Sequence, residues 1–331
     1  LTPINPLTVL SDGSIVTTHP SELLIRVYGS DGRFTRSFGR AGQGPGEIGS
    51  LTRLGSVGDS IWIDDSRNRQ ITVFTNRGVL LRSISTSQQM VNAQGAATVR
   101  PYRNIYALLS GRRLLVAEQY RGVTVGRGGL GDLDSTIFMV QDSLGKMIVR
   151  LLKVGTVGRP PIVIQRPNGT TTFGQPLESR VYPSIAPGAG RFVLASDAEV
   201  FGGRPGQLRL TGLSPAGVVT EMIASLPPWR VSRNFADSMA KYRTNLGRNP
   251  RVGVPDPPAP SAAELNSYEQ QLRVQIYLPE FHPVNNLDVL GRDGSLWVAY
   301  KYDGLSWVVL VDGRPQMRVR VPDGVNVHQA T

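Results

Sequence analysis

Cysteine is absent from this chain, and histidine occurs only three times among 331 residues. The missing thiols exclude disulfide staples, cysteine-ligated zinc and a cysteine nucleophile. No run of 18 apolar residues occurs, so no hydrophobic stretch is long enough for a membrane-spanning helix. The histidines, His19, His282 and His328, stand far apart and form none of the short His-based metal-hydrolase motifs. A Gly-x-Ser-x-Gly nucleophile elbow is missing as well. Gly42-Gln-Gly-Pro-Gly46 lacks the Lys-Ser/Thr of a phosphate loop and opens no helix. Asp132 and Asp134, and the pair Asp64-Asp65, do not have the dense oxygen-ligand spacing of a calcium loop. No cofactor, metal site or catalytic residue is therefore expected.

What is present is basic and rich in glycine and proline. Lys+Arg number 36 against 25 Asp+Glu, a net charge of +11, and all but four of the basic residues are arginines. Arginine's planar fork suits carboxylates, phosphates and aromatic faces, although GC-rich coding enriches it equally. With 40% hydrophobic residues the chain can bury a large core, and 37 glycines and 24 prolines suit many short strands and turns.

Those strands recur. One unit reads apolar strand, Gly turn, apolar strand, variable loop, apolar strand, second Gly turn, final strand. In the first copy the pieces are Leu7–Leu10, Ser11-Asp-Gly13, Ser14–Thr18, Leu24–Tyr28, Ser30-Asp-Gly32 and Phe34–Phe38. Later copies place their first turns at Gly58, Gly111, Gly190 and Gly294, and their second at Gly78, Gly145, Gly217 and Gly313. Glycine supplies the positive φ that tight hairpins need. Each copy is thus a four-stranded antiparallel meander, and meanders that cannot bury both faces alone pack radially as a β-propeller.

Two segments carry a family resemblance. Asp64-Asp-Ser-Arg-Asn-Arg-Gln-Ile-Thr-Val-Phe74 followed by Gly78 resembles the NHL-type blade signature. Phe38-Gly-Arg-Ala-Gly-Gln-Gly-Pro-Gly-Glu47 is similar to the Gly-rich link between blades of bacterial six-bladed propellers. The resemblance covers residues 6–85 well, 101–226 and 284–322 loosely, and 228–280 not at all. It implies a six-bladed ring of which five full blades are visible, with Val325–Gln329 beginning a sixth inner strand; a complete five-bladed ring is the alternative. It also implies that Asp64 fixes a turn through backbone hydrogen bonds. Central-metal lactonases and lyases among six-bladed propellers keep a metal-dependent hydrolase or lyase as the alternative function, and nucleic-acid binding by some NHL-type propellers is a third.

The spacing between first and second turn glycines runs 19, 20, 34, 27 and 19, so the third and fourth units are enlarged. The longest link, within 228–280, has Phe235, Met239, Tyr242 and Leu246 at helical spacing. A Pro-rich loop follows. Ser261-Ala-Ala-Glu264 then reads as a capping box opening a second helix, with Leu265, Tyr268 and Leu272 along one side. In an up-and-down blade all such insertions emerge on the rim opposite the short Gly turns, a common binding face. The Asn168-Gly-Thr170 sequon reads as incidental.

The whole chain, 1–331, is read as one propeller domain bearing the 228–280 insertion. Residues 229–252 hold six basic residues against Asp237 alone, and residues 100–128 hold six arginines against Glu118 alone. The expected function is a non-catalytic scaffold or accessory subunit. It would dock a protein or membrane-bound assembly, or another anionic surface, through Arg127, Trp229, Arg230, Arg233, Lys241, Tyr242, Arg243, Arg248 and Arg251. Export is expected, with a leader preceding Leu1.

Overall fold

In a computed structural model the described residues are 7–19, 21–86, 102–120, 135–155, 161–166, 169–173, 175, 181–186, 191–214, 217–232, 234–235, 237–238, 261–277, 279–281, 288–291, 293–299 and 306–322. They form five four-stranded antiparallel blades, each built from four consecutive strands. The first is β1 (Leu7–Val9), β2 (Ile15–His19), β3 (Leu24–Tyr28) and β4 (Phe34–Phe38); the second is β5 (Arg53–Val57), β6 (Ser60–Asp65), β7 (Gln70–Thr75) and β8 (Leu80–Ser85). The third is β9 (Tyr102–Leu109), β10 (Arg113–Tyr120), β11 (Ser135–Gln141) and β12 (Met147–Gly155). After an extra hairpin, β13 (Ile162–Arg166) and β14 (Gly169–Phe173), the fourth is β15 (Val181–Ile185), β16 (Phe192–Asp197), β17 (Gln207–Leu213) and β18 (Val219–Ser225). The fifth is β19 (Asp288–Leu290), β20 (Leu296–Ala299), β21 (Ser306–Val311) and β22 (Arg314–Arg320).

The turn glycines set this frame. Nine of the ten expected positions, Gly13, Gly32, Gly58, Gly78, Gly111, Gly145, Gly217, Gly294 and Gly313, have φ between +54° and +91°. That region is strained for residues with a Cβ. Gly190 lies outside the described residues. In four blades the register slips by a bulge between the third and fourth strands, as at Val27/Tyr28 and Val309/Leu310, which strengthens the local twist.

Burial falls from the second and third strands outward. β6 buries five of its six residues, whereas β4 and β22 are largely exposed. The outer edges carry Arg36, Arg82, Arg150 and Lys153, and β22 carries Arg318, Arg320 and Pro315. Charge and proline on an edge strand discourage pairing with another chain, so part of the arginine content serves the blade edges.

Apolar clusters fasten consecutive blades. Leu10, Val16, Ile25 and Val27 pack on Leu54, Ile61 and Ile63 between blades one and two. Trp62, Ile71 and Val73 join blade three, which in turn reaches Phe192 and Leu194 of blade four. Leu208 and Ala224 meet Leu296, Val298 and Leu310 of blade five. Among the described residues no shared apolar cluster joins blade five to blade one.

Five four-stranded blades are present among the described residues, and the sixth blade that the resemblance implies is not among them. Val325–Gln329 lie outside the described residues. No helix among the described residues is long and apolar enough to cross a membrane.

Candidate functional site

The chain enters each first strand from the rim that carries the inter-blade links. Two of these links build a layer of their own there. Hairpin β13–β14 pairs Ile162 with Phe173 through to Arg166 with Gly169. Helix α1 (Ala198–Phe201) follows β16 at the same rim, and the link after blade four supplies α2 (Ala262–Gln275). The capping box holds as read: Ser261 Oγ accepts from Glu264 N–H, and Glu264 Oε2 accepts from Ser261 N–H at 2.7 Å.

Among the described residues the apolar stripe of α2 packs on the β13–β14 hairpin. Leu265, Tyr268 and Leu272, with Ile276, close on Ile162 and Ile164 of the hairpin. Glutamine amides complete the seam. Gln275 Oε1 accepts from Val163 N–H at 2.8 Å and its Nε2 donates to Val163 O at 2.9 Å. Gln271 repeats the arrangement on Gln165, at 2.8 and 3.4 Å. Gln175 donates to Gln275 O and accepts from Tyr277 N–H. The unpaired edge of β13 is thereby satisfied by side chains. The sequence signal was available: Asn168-Gly169 between Ile162-Val-Ile and Thr170-Thr-Thr is a hairpin pattern, not merely a sequon.

Of the expected docking residues, Trp229 is half-buried and Arg230 exposed. Arg230 pairs with Glu280 at 3.2 Å, lies over the Phe281 ring at 5.5 Å and bridges Phe281 through its backbone. Asp237, the acidic residue of that stretch, is held by Arg273 of α2. Arg127, Arg233, Lys241, Tyr242, Arg243, Arg248 and Arg251 lie outside the described residues, as do Met239 and Leu246.

The described arginines of the second basic stretch, Arg103, Arg112 and Arg113, do not share one surface. Arg103 turns into blade three, where it donates to Gln141 while Gln141 Nε2 donates to Glu118 at 3.3 Å. Burial lowers the pKa of Arg103 and Glu118 opposes that shift. Arg112 and Arg113 sit at the short β9–β10 turn, on the face opposite the insertions, and Arg113 is tied to Ser110. They do not reinforce a positive field at the elaborated rim.

The carboxylates divide their roles differently from the expectation. Asp65, not Asp64, anchors the turn. It is fully buried and accepts from Gly49 N–H at 2.7 Å, Ser50 N–H at 2.9 Å, Asn68 N–H at 3.1 Å, Asn68 Nδ2 at 2.9 Å and Ser50 Oγ at 3.1 Å. Asp64 points to the other side of β6. Burial raises its pKa, attraction to Arg53 opposes the rise and Asp65 adds to it. Arg53 in turn donates to Ile105 O and lies 4.7 Å from the Tyr106 ring centroid. Among the described residues no three His, Asp or Glu side chains gather as a metal-binding group.

Two cavities are lined by the described residues. The central channel, about 230 Å³, is lined by the inner strands of all five blades through Thr8, Ser56, Tyr106, Ser184 and Val289, with Trp62 reaching in from β6. Thr8 and Ser56 hydrogen-bond each other at 3.3 Å across blades one and two. Trp62 Nε1 and Ser184 Oγ are buried with no partner among the described residues, a condition that costs about 1–3 kcal/mol per group when left unmet. A larger groove of about 590 Å³ lies on the short-turn face between blades three, four and five, with an apolar floor of Phe192, Leu290 and Leu310 and a rim of Arg113, Arg191, Glu221 and Asp312.

No protein-family model matches the chain, and no curated protein matches it. Solved structures do. Virginiamycin B lyase from Staphylococcus aureus is 12% identical, with 98% of this chain and 71% of that one covered, at a TM-score of 0.33. The WD40 β-propeller domain of Doa1 is 9% identical over 96% and 69% of the two chains, at 0.39. A Bacteroides fragilis protein named for its expected export is 12% identical over 92% and 67%, at 0.40. These are loose likenesses of overall shape at low identity.

Proposed function

We propose that this propeller is a non-catalytic binding module, an exported accessory subunit that docks a protein or membrane-associated assembly through the face bearing its insertions. The observation behind this reading is the closure of two separate inter-blade insertions on each other. A hairpin and a helix from different links share a private apolar core and a glutamine seam. The blades obtain their own packing from the inter-blade clusters, so this layer adds a rigid surface that the ring does not need. Its outer side is free to meet a partner: Val274 on α2 is 84% exposed. The basic residues of 229–252 belong to the link that delivers α2, which favours a partner with an acidic surface.

Face-specific photocrosslinking tests this. A photoreactive residue replacing Val274 would be compared with one replacing Leu144, which is 92% exposed at a short turn of the opposite face. The expected result, in native envelope extracts, is one discrete adduct from position 274 that unlabelled protein competes away. Equal labelling from both positions, or none from 274, would overturn the docking reading.

A further inference from the structure

We propose that the groove on the short-turn face binds a short free peptide of apolar residues, its carboxylate at Arg113 and Arg191 and its amino group toward Glu221 and Asp312. This site lies opposite the insertions and stands apart from the docking reading. Its arginines are exceptions within the repeat. The closing pair of the first hairpin is Leu10–Ser14 in blade one, Val57–Ser60 in blade two and Gly291–Ser295 in blade five. In blades three and four it is Leu109–Arg113 and Ala186–Arg191. The serine blades also carry an aspartate in that turn, Asp12, Asp59 or Asp293, whereas Ser110-Gly-Arg112 and Pro187-Gly-Ala-Gly190 contain no acid. Two neighbouring blades thus gain a cation and lose an anion at the same turn.

These charges are available to a ligand. Arg191 is exposed and reaches over blade five, where a Cβ on Gly294 would stand 2.5 Å from its Nη1. Arg113 donates to Ser110 through Nε and Nη2, which leaves Nη1 of its five-donor fork. Glu221 and Asp312 are exposed, and among the described residues none of the four is in an ion pair. The charges are also ordered along the groove. First strands wall the central channel and fourth strands form the outer edges, so the arginine turns mark the inner end. Glu221 on β18 and Asp312 in the β21–β22 turn mark the outer end. Phe192, Val193, Leu210 and Met222 line the space as well, Met222 being 43% exposed.

A carboxylate matches the arginine forks, apolar side chains match the floor, and an ammonium matches the outer acids. Second to fourth strand is two spacings, about 10 Å, which an extended peptide covers with about three residues. The volume of about 590 Å³ suits a ligand of that size. A fatty acid would answer the arginines and the floor but leave Glu221 and Asp312 without a counter-charge.

Calorimetric titration of the full chain tests this with tri-leucine, its C-terminal amide, its N-acetyl form and laurate. Saturable binding of tri-leucine is expected. The amide should bind about tenfold more weakly or worse, for want of a charge-assisted contact, and Arg191→Gln should shrink that difference. Acetylation should weaken binding about threefold, because exposed ion pairs contribute modestly. Should Arg191→Gln perturb folding, the comparison of acid with amide on the unaltered chain decides. Absence of saturable tri-leucine binding overturns the proposal. So does an amide or an acetylated peptide that binds as tightly as the free one, an acid-to-amide difference undiminished in Arg191→Gln, or laurate binding as tightly as tri-leucine.

Discussion

Gln275 presents both ends of its side-chain amide to one residue of a different insertion, accepting from Val163 N–H and donating to Val163 O. Gln271 does the same to Gln165. Two geometries agree here. Four residues of helix rise about 6.0 Å, and two residues of strand rise about 6.6 Å. Glutamines four apart on α2 thus fall in step with alternate residues of β13, and the helix acts as a further strand on that edge. An edge left unpaired would be open to another chain.

Gln275→Ala should therefore loosen the insertion layer without loosening the ring. The amide of Val163 is expected to exchange about tenfold faster or more, because the lost bonds contribute about 1 kcal/mol each. Unfolding of the blades should stay at the wild-type temperature. Hydrogen exchange read residue by residue decides it, and unchanged protection at Val163 would refute the bridge.

Asp64 and Asp65 should respond oppositely to neutralisation. Asp65 accepts five hydrogen bonds, so Asp65→Ala is expected to cost about 3 kcal/mol or more, leaving several buried donors unmet. Asp64 has its pKa raised, chiefly by burial. A carboxyl whose folded pKa lies above its unfolded value makes the native state bind more protons, so it lowers stability as pH climbs from about 3.8 through the folded pKa. Asp64→Asn should be at least as stable as wild type at neutral pH, and the difference should vanish in acid. Urea titrations across pH measure both; a large loss at neutral pH in Asp64→Asn would show that its charge is used.

Much of the ring was legible because glycine turns have a local cause. Positive φ at Gly13, Gly58 or Gly294 is demanded by the turn and visible in the residue itself. Blade number was less legible, since closure depends on how apolar faces meet around the ring. The roles of Asp64 and Asp65 were interchanged for a similar reason: adjacent strand residues face opposite sides, and only packing reveals which side holds Gly49 and Ser50. The pairing of α2 with β13 links residues more than 100 apart in sequence, and no periodicity within either segment points to the other. The two basic stretches looked alike by composition, yet β9 carries Arg103 inward, while Arg113, at the start of β10, sits at the turn on the opposite face.

The start of α2 gives a pH-dependent prediction. Glu264 has its pKa lowered, first by the Ser261 backbone N–H and then by the Ser261 side chain. A carboxylate with a depressed folded pKa adds stability above its unfolded value and loses it as pH falls through the folded one. The first turn of α2 should fray on acidification below about 4.5 while the blades persist. Ser261→Ala should cost about 1 kcal/mol of local helix stability at neutral pH. Amide exchange at Glu264 and Leu265 reports both, and acid-insensitive protection there would show that the box is dispensable.

Gly55 offers the sharpest steric test. Its φ is not in the left-handed region, so alanine suits its backbone, and any penalty must come from contact. A Cβ would stand 2.5 Å from Trp62 Cζ2 and 2.6 Å from Cε2, closer than packed carbons approach. Gly55→Ala should cost about 1–3 kcal/mol by overpacking. Gly58 is the converse: open space surrounds it but φ is +54°, so Gly58→Ala should cost only about 1 kcal/mol of backbone strain. Pairing Gly55→Ala with Trp62→Val should recover part of the first loss, a coupling that Gly58→Ala with Trp62→Val must lack. Equal, uncoupled losses in a double-mutant cycle by urea unfolding would show that Gly55 is not what holds Trp62 against the channel.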